Sequence, residues 1–332
     1  MIEYVLGVDG GATKTDYMLF TATGVFAGHV RGGPGNHEVY ADGYAGAGRE
    51  YRKLLDKLFR KTGISIEQIV SSVWGLGGID IDDQRIRTEE IVSEMGLNRN
   101  IVCNDGFLGI KAGSSSGFGI CSINGTGTSC VGIDPLGNSL QIGGTGLLFG
   151  DEAGGSALGG WVVRSVYDSI FRCGKSTSMR DMLFRELGVS SGDDLVSGYY
   201  REIVYGDKGT ADLNSILFHA ARDGDVCALE VLDSVGTELG KSIVGMLKYL
   251  DFSTTPAVEI VLAGSIYRKV EHPGLLTAMK KYVTTYARQE HEYIFNVLDA
   301  QPVAGAVIWA LEENRGNRVS AAEKNSIIKS CQ

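Results

Sequence analysis

The sequence predicts an α/β protein with two lobes, each built on a mixed β-sheet, and a cleft between them. The chain has 332 residues, which is too long for one small core and enough for two units of roughly 100–200 residues each. Short apolar runs typical of strands alternate with longer segments of helical spacing. One pattern of strand, Gly-rich hairpin, strand, turn and strand occurs twice, about 114 residues apart, which indicates a duplicated architecture.

Composition and charge exclude several classes of protein. Hydrophobic residues make up 43% of the chain and charged residues 21%, as in ordinary globular proteins. The net charge of −9 disfavours nucleic acid and anionic membranes as partners. No apolar run reaches the roughly 18 residues of a membrane span, and the first residues lack the features of a signal peptide. The six cysteines form no Cys-x-x-Cys pair, so we expect reduced thiols and a cytoplasmic protein.

The two copies of the repeated pattern open the two predicted lobes. The first has strands at 4–9, 16–20 and 24–30, and the second has strands at 118–123, 129–133 and 139–142. An alternative interpretation is two unrelated meanders within an α/β protein. A Gly/Ser stretch at 113–117 predicts a hinge, with an N-terminal lobe over 1–115 and a C-terminal lobe over 116–332. The last helix is a candidate for packing back on the N-terminal lobe.

The remaining periodic segments predict helices and further strands. We expect strands at 69–74, 100–103 and 258–262. We expect helices at 45–61, 88–95, 107–112, 151–171 and 304–311, and the chain after residue 171 is mainly helical. Strands that alternate with helices, together with antiparallel meanders, are typical of mixed sheets.

The hairpin of the first copy has the composition of a phosphate-binding loop. Gly10 and Gly11 allow a tight turn whose backbone N–H groups converge, while Thr13 and Lys14 add a hydroxyl and a positive charge. Asp9, at the end of the strand, is suited to hold Mg²⁺ through water, because Mg²⁺ keeps most of its hydration shell. The alternative is an ordinary tight hairpin without a ligand.

Two further segments repeat this chemistry. Thr126, Gly127 and Thr128 form a second Gly/Thr hairpin, which could hold a polyphosphate against the first. Gly264 and Ser265 follow an apolar strand, where a glycine lets a ribose or a heterocycle lie against the backbone. The alternative for this last pair is a common strand–helix junction.

These motifs, in this order, resemble those of a known superfamily. The two hairpins, Asn-Asp-Gly at 104–106 and Ala-Gly-Ser at 263–265 resemble the phosphate, connecting and adenosine motifs of the sugar kinase/actin/Hsp70 superfamily. The segments 33–37 and 143–156 resemble the Asn-His and Gly-Asp-Glu-Gly-Ser motifs of N-acetylglucosamine kinases, which belong to the BadF/BadG/BcrA/BcrD-type ATPase family. The resemblance spans residues 5 to about 311. It implies two actin-like (ribonuclease H-like) lobes that bind ATP and Mg²⁺.

The resemblance also implies roles for individual residues. Asp105 corresponds to the catalytic base; the alternative is an Asx-turn aspartate that caps the helix at 107–112. Thr145 stands where related kinases often have an aromatic residue, which would leave room for a 3-substituted amino sugar such as N-acetylmuramic acid. Asp151 could instead cap the following helix. The expected sugar-binding residues are Asn36, His37, Asp105, Gly144, Thr145, Gly146 and Asp151.

The function expected from this resemblance is ATP-dependent phosphorylation of an amino sugar, at the 6-hydroxyl, by a homodimeric enzyme. Two alternatives remain. One is an ATPase that activates a dehydratase or reductase by electron transfer, which would need cysteine ligands for an iron–sulfur cluster. The other is a non-catalytic sensor of sugar or ATP, which could dispense with a base at Asp105.

Overall fold

The first β-sheet is formed by the N-terminal part of the chain. The computed structural model describes residues 2–269 and 272–332. The sheet has the order β3-β2-β1-β4-β5, in which β1 to β3 are antiparallel and β4 and β5 run parallel to β1. Its strands are β1 (Tyr4–Gly10), β2 (Thr15–Thr21), β3 (Phe26–Gly32), β4 (Ile69–Leu76) and β5 (Asn100–Cys103).

Three helices accompany this sheet. They are α1 (Tyr44–Thr62), α2 (Asp82–Glu94) and α3 (Gly106–Gly113). The apolar face of α1 is buried against the sheet through Tyr51, Leu54 and Leu58, as its spacing predicts. Helix α2 begins six residues before the predicted start, because its first turn is charged and gives no apolar period.

The second sheet repeats the first. Its order is β10-β9-β6-β7-β8, with antiparallel pairs β6–β7–β8 and with β9 and β10 parallel to β6. The duplicated architecture and the mixed α/β class are thus confirmed, and only β10 is a strand without a sequence prediction. The strands are β6 (Gly119–Asn124), β7 (Thr128–Ile133), β8 (Ser139–Gly143), β9 (Ala257–Ala263) and β10 (Glu292–Val297).

In the described part of the chain, helices lie between β8 and β10, on both sides of β9. They are α4 (Gly155–Phe171), α5 (Met179–Leu187), α6 (Leu195–Tyr199), α7 (Asn214–Arg222), α8 (Val226–Tyr249), α9 (Ser265–Lys269) and α10 (Gly274–Tyr286). The prediction that α4 begins at Asp151 is wrong: the helix starts at Gly155. Gly150 and Gly154 have φ values of +93° and +88°, and this left-handed backbone interrupts any helix before residue 155.

The C-terminal helices pack against the first sheet. They are α11 (Pro302–Arg315) and α12 (Ala321–Ser330). Helix α11 crosses β1 so closely that a Cβ on Gly7 would lie 2.6 Å from the Val307 nitrogen. It also touches α3, where a Cβ on Gly305 would lie 2.1 Å from the Leu108 oxygen. Glycine at both positions therefore permits the close approach of backbones.

Charged side chains hold the segment between α3 and β6. The Glu259 carboxylate accepts hydrogen bonds from the backbone nitrogens and hydroxyls of Ser115 and Ser116, each at 3.0 Å. The Lys324 ammonium donates to the carbonyl oxygens of Lys111 and Ser114. A hinge at 113–117 stays a prediction. A motion there would act on a segment that Glu259 and Lys324 hold in place. Within 2–269 and 272–332, no helix is long and apolar enough to cross a membrane.

Candidate active site

The first Gly-rich hairpin connects β1 and β2 and is held by the neighbouring loop. The Gly11 nitrogen donates to the Lys14 oxygen at 3.0 Å and closes the turn. The Gly11 oxygen accepts from the nitrogens of Gly35 and Asn36, at 3.0 and 3.3 Å. A Cβ on Gly11 would meet no atom within 4 Å, so the tip of the hairpin faces open space. Thr13 is exposed at this tip.

Lys14 has a partner that the sequence did not suggest. Its ammonium lies 3.7 Å from the Asp16 carboxylate. Asp16 is buried and already accepts two bonds from Arg31, at 2.7 and 3.0 Å, and contacts His29 at 2.8 Å. The bonds from Arg31 and His29 lower the pKa of Asp16 against the effect of its burial. Since Asp16 is satisfied without it, the half-exposed Lys14 is free to turn towards an anion.

The loop after β3 places Asn36 beside the end of β4. Tyr40 and Tyr51 fix this loop by donating hydroxyl bonds to the oxygens of Pro34 and Gly35, at 2.8 and 2.6 Å. The Asn36 side chain accepts from the Glu38 nitrogen at 2.8 Å. A Cβ on Gly78 would lie 2.4 Å from Asn36 Oδ1, so glycine is required where the asparagine packs. Asn36, which the sequence predicts to bind the sugar, is therefore held in a fixed position.

Asp105 lies at the same place, at the end of β5. A Cβ on Gly77 would lie 3.8 Å from both Asn36 Nδ2 and Asp105 Oδ2, so both side chains lie beside this glycine. Gly77 in turn donates to the Gly10 oxygen at 2.8 Å, which joins the group to the first hairpin. The structure thus brings together Asn36, Asp105 and the base of the predicted phosphate loop.

Asp105 does not cap α3 with its side chain. It occupies the position before the helix but makes no side-chain capping bond. The neighbouring Asn104 supplies that bond instead, because its Oδ1 accepts from the Gly106 nitrogen at 2.9 Å. The alternative interpretation of Asp105 as an Asx-turn cap is therefore not supported by the geometry.

The carboxylates of Asp9 and Asp105 both have raised pKa values, and the charge of Asp105 contributes to the shift of Asp9. Burial, with the charges of Asp105 and Asp16, raises the pKa of Asp9 to about 7, and Lys14 and Arg31 act in the opposite direction. Burial and the charge of Asp80 raise the pKa of Asp105 to about 6, while the backbone N–H groups of Gly106 and Asp105 act in the opposite direction. Perturbed carboxylates of this kind are common in active sites. An approaching cation would favour the ionised form of Asp9.

The second hairpin connects β6 and β7 and rests on the start of α4. The Gly125 nitrogen donates to the Gly127 oxygen at 2.9 Å, and Thr128 Oγ1 donates to the Ile123 oxygen at 2.8 Å. Thr126 and Gly127 are exposed at the tip, and a Cβ on Gly127 would meet nothing within 4 Å. The Ser156 nitrogen donates to the Thr126 oxygen at 3.0 Å, which fixes the hairpin to the helix.

Asp151 organises the Gly-rich segment after β8. Its two oxygens accept from the nitrogens of Gly144 and Gly146, at 3.0 and 2.5 Å. It cannot cap α4, which begins four residues later. Gly144, Thr145 and Gly146 are all exposed. Asp151 therefore shapes the segment that the resemblance assigns to the sugar.

The remaining predicted residues are His37, which lies near Asn36, and the pair Gly264 and Ser265, which lies near the second hairpin. His37 is buried and stacks on Tyr44, with ring centroids 4.1 Å apart, and burial lowers its pKa. It thus supports the loop that carries Asn36. Gly264 ends β9 with a φ of +108°, and a Cβ there would lie 2.3 Å from the Asn124 oxygen, at the foot of the second hairpin. Ser265 is exposed beside it.

Two cavities flank this region. One, of about 700 Å³, is lined by the second hairpin, the 144–151 segment and the outer face of α4, including Ala157, Trp161 and Arg164. The other, also about 700 Å³, lies between the end of β4, α2 and β8. Trp161 is only half-buried at this cavity, whereas Trp74 is fully buried in the core.

Three residues of this region escaped sequence analysis. Asp80 follows β4, and its Oδ1 accepts from Asn104 Nδ2 at 3.0 Å and from Gln141 Nε2 at 2.6 Å. Asn104 was noticed only as part of a motif, and Gln141 stands in an unremarkable strand. The Asp-Gln separation of 61 residues leaves no local signal for this contact.

The cysteines and histidines form no metal centre in the part of the chain that is described. No group of three or more His, Cys, Asp or Glu side chains there could hold a metal ion. Four of the cysteines are buried, in the cores and under the C-terminal helix: Cys103, Cys121, Cys130 and Cys331. A magnesium ion at Asp9 would therefore depend on one carboxylate, on water and on the phosphates of a nucleotide.

Two mixed five-stranded sheets of identical topology, each with a glycine hairpin between its first two strands, define an actin-like ATPase fold. The chain belongs to the BadF/BadG/BcrA/BcrD ATPase family, whose model matches residues 6–310. Similar proteins include the N-acetylmuramic acid/N-acetylglucosamine kinase of Clostridium acetobutylicum, 26% identical over 82% of this chain and 88% of that protein. The N-acetyl-D-glucosamine kinase of Dictyostelium discoideum is 26% identical over 94% and 99% of the two chains.

Solved structures show the same fold. A Chromobacterium violaceum protein, provisionally assigned as an N-acetylglucosamine kinase, superposes with a TM-score of 0.65 at 22% identity, over 93% of this chain and 99% of its own. A ROK family glucokinase of Streptomyces griseus, in complex with glucose and AMPPNP, gives 0.52 at 16% identity, over 92% and 97%. The predicted family and the prediction of a phosphotransferase enzyme are confirmed.

Proposed function

We propose that this protein is an ATP-dependent amino-sugar kinase, which transfers the γ-phosphate of ATP to the 6-hydroxyl of N-acetylglucosamine or a related hexosamine. The observation that carries the proposal is the position of the Asp105 carboxylate. Asn104 supplies the side-chain cap of the helix, and Asp105 and Asn36 both lie beside Gly77, next to the first hairpin. The two curated relatives phosphorylate N-acetylglucosamine or N-acetylmuramic acid by name.

In the proposed reaction Asp105 acts as the base. With a pKa of about 6 it is ionised at neutral pH and accepts the proton of the sugar hydroxyl. The sugar oxygen then forms a bond to the γ-phosphorus, the bond from that phosphorus to the bridging oxygen breaks, and ADP leaves. Positioning the three groups in line supplies most of the rate enhancement in phosphoryl transfer.

The remaining site residues have proposed binding roles. Gly10, Gly11, Thr13 and Lys14 would hold phosphate from one side and Thr126, Gly127 and Thr128 from the other, with adenosine on Gly264 and Ser265. Asp9 fits magnesium, because a cation would favour the ionised form of its half-buried carboxylate; bound there, the ion would neutralise phosphate charge. Asn36, Gly144, Thr145, Gly146 and Asp151 would bind the sugar, supported by His37.

The size of the acceptor is a second part of the proposal. Thr145 is exposed and offers no aromatic wall to the acceptor. A 3-substituted amino sugar such as N-acetylmuramic acid would therefore be accommodated, and glucosamine is a smaller candidate. We also propose a cytoplasmic homodimer with lobes over 1–115 and 116–332, which light scattering and limited proteolysis would test.

The test is a coupled ADP-release assay with purified protein. The panel is N-acetylglucosamine, N-acetylmuramic acid, N-acetylmannosamine, glucosamine and glucose, each with ATP and Mg²⁺. We expect turnover with at least one N-acetylated hexosamine and a 6-phosphate product by NMR. No turnover with any amino sugar would refute the proposal. An electron-transfer ATPase would instead show iron and visible absorbance after anaerobic purification, which the buried positions of Cys103, Cys121, Cys130 and Cys331 do not favour.

A further inference from the structure

Asp80 is a charged residue near the site that has no role in the proposed reaction. It follows the two glycines after β4, and its backbone nitrogen donates to Gln84 Oε1, in the first turn of α2, at 2.8 Å. Its side chain extends in the opposite direction, towards Asn104 and Gln141. The residue is therefore anchored at its backbone, and its carboxylate is left to make contacts between elements.

One oxygen of Asp80 joins the two sheets. Its Oδ1 accepts from Asn104 Nδ2 at 3.0 Å, at the end of β5 in the first sheet. The same atom accepts from Gln141 Nε2 at 2.6 Å, on β8, an edge strand of the second sheet. Gly144 lies close by, since a Cβ there would approach Asp80 Oδ1 to 3.3 Å. The contact thus links the proposed sugar-binding segment to the start of α3.

Asp80 also fixes which way the Asn104 amide points. The amide donates to Asp80 with Nδ2 and accepts from the Gly106 nitrogen with Oδ1 at 2.9 Å. A flipped amide would set its oxygen against the Asp80 carboxylate and its NH₂ against the Gly106 N–H, and both contacts are repulsive. The Asn104 orientation that caps α3, in place of a side-chain cap from Asp105, therefore depends on the acceptor at position 80.

The charges around Asp80 oppose this arrangement. Glu38 and Asp151 repel its carboxylate, while the two amide donors favour the ionised form, and burial raises its pKa overall. The charge of Asp80 in turn repels the Asp105 carboxylate. His37 faces the group from the loop after β3, with a pKa that burial lowers. Without the Gln141 and Asn104 donors, the carboxylate would lose both amide partners and keep three like charges near it.

We propose that Asp80 is a positioning residue that couples the approach of the two sheets to the availability of the base. Gln141, brought up by the second sheet, holds Asp80 in the rotamer that orients Asn104. Asn104 then caps α3 and leaves the Asp105 carboxylate to the sugar hydroxyl. The inference rests on the proposed function in one respect, that Asp105 is the base.

The kinetic experiment compares Asp80→Ala with Asp80→Asn, which keeps an acceptor oxygen at the same place. We expect kcat to fall about tenfold or more in Asp80→Ala, with the KM for ATP within twofold, and we expect Asp80→Asn to retain most of kcat. Asp82→Ala is the matched control, because this neighbouring side chain is 88% exposed and contacts only Arg85. Its kinetics should equal those of the wild type.

A double-mutant cycle tests the contact between the sheets. Gln141→Ala alone should lower kcat, and Asp80→Ala/Gln141→Ala should be no slower than Asp80→Ala, since both changes remove one interaction. Additive losses would contradict the coupling. Equal losses of kcat in Asp80→Ala and Asp80→Asn, accompanied by a lower melting temperature in both, would reduce Asp80 to a structural residue and overturn the proposal.

Hydrogen exchange at the Gly106 amide tests the positioning step without any enzyme assay. NMR-detected exchange should accelerate at Gly106 by about tenfold in Asp80→Ala, because its acceptor is lost, and stay unchanged in Asp82→Ala. Unchanged exchange in Asp80→Ala overturns the proposal whatever the substrate is. Accelerated exchange in a protein that phosphorylates no amino sugar supports the Asp80 contact and refutes the proposed function alone.

Discussion

The Oδ1 atom of Asn104 lies 2.9 Å from the backbone nitrogen of Gly106, so Asn104 provides the cap of α3 that its neighbour Asp105 could have provided. Both residue types are favoured at helix starts. Of these two adjacent residues, Asn104 therefore contributes to stability and Asp105 is left for the proposed chemistry. A stability measurement tests the first role, and a rate measurement tests the second.

Replacement of Asp105 by Asn should therefore lower the rate without lowering stability. We expect kcat to fall by about 10²–10⁴, the usual cost of losing a positioned base, with the KM for ATP little changed. The free energy of unfolding at pH 7, from urea titration, should equal or exceed that of the wild type, because the raised pKa of Asp105 means that its ionised carboxylate disfavours the folded state above pH 6. Asn104→Ala should instead destabilise the protein by about 1 kcal/mol or more, the usual value of a cap. The reverse pattern would identify Asp105 as the cap.

Removing the charge of Asp9 should stabilise the apoprotein at high pH. Its pKa is raised from 3.8 to about 7 on folding, so the folded state binds the proton more tightly than the unfolded chain does. The associated stability is fully present below pH 3.8 and is lost as the pH rises through 7. Asp9→Asn should thus melt a few degrees above the wild type at pH 8 and at a similar temperature at pH 4. An equal shift at both values would point to a cause other than ionisation.

The acid limb of the rate profile should report Asp105. Since its pKa is about 6, kcat/KM for the sugar should decline below that pH as the base becomes protonated. Measurements at saturating and constant Mg²⁺ between pH 5 and 8 would define the limb. A profile flat to pH 5 would mean that proton transfer to Asp105 does not limit the reaction.

Gly127→Val tests whether the second hairpin binds phosphate. A Cβ at Gly127 meets no protein atom within 4 Å, so the folded protein should tolerate the change. A branched side chain at the exposed tip would fill the space of a phosphate. We expect the KM for ATP to rise about tenfold or more with an unchanged melting temperature. Gly209→Val, at a loop position with a φ of −100°, is the control that should alter neither value.

Asp151 and Asn36 should control sugar affinity. Asp151→Ala removes the acceptor for two backbone nitrogens of the 144–146 segment, at 3.0 and 2.5 Å, and should loosen it. We expect a higher KM for the sugar in Asp151→Ala and in Asn36→Ala, with the KM for ATP unchanged. The loss in the free energy of sugar binding should be about 1–3 kcal/mol. Thr13→Ala should show the opposite selectivity. If Asp151→Ala left the sugar KM alone, the acceptor site would lie elsewhere.

Glu259 should stabilise the segment between α3 and β6. Its bonds from Ser115 and Ser116 lower its pKa from 4.5 despite burial. The stabilisation is therefore present above pH 4.5 and is lost as the pH falls through the lower folded value. Glu259→Ala should cost about 1–3 kcal/mol at pH 7, measured by urea unfolding, and less at acidic pH. A loss that did not depend on pH would contradict a role for the charge.

Local features of the sequence were enough to predict much of the fold. Apolar periods located nine of the ten strands, and the glycine hairpins revealed the duplication, because strand spacing and turn geometry depend on neighbouring residues. The strand β10 escaped because its pattern is only half-buried. The start of α4 was misplaced because an acidic pair suggested a helix start, while the left-handed glycines at 150 and 154 excluded one.

The sequence by itself determined which residue types stand at the ends of strands: the carboxylates of Asp9 and Asp105 and the glycines of both hairpins. Only the tertiary structure decided what each side chain contacts. Asn104 and Asp105 are equally good caps in sequence, and the choice between them follows from the Asp80 acceptor, which Gln141 contacts from 61 residues away. The physical reason is that helix and strand patterns depend on interactions between neighbouring residues. The partner of a polar side chain depends instead on which distant groups folding brings within about 3 Å.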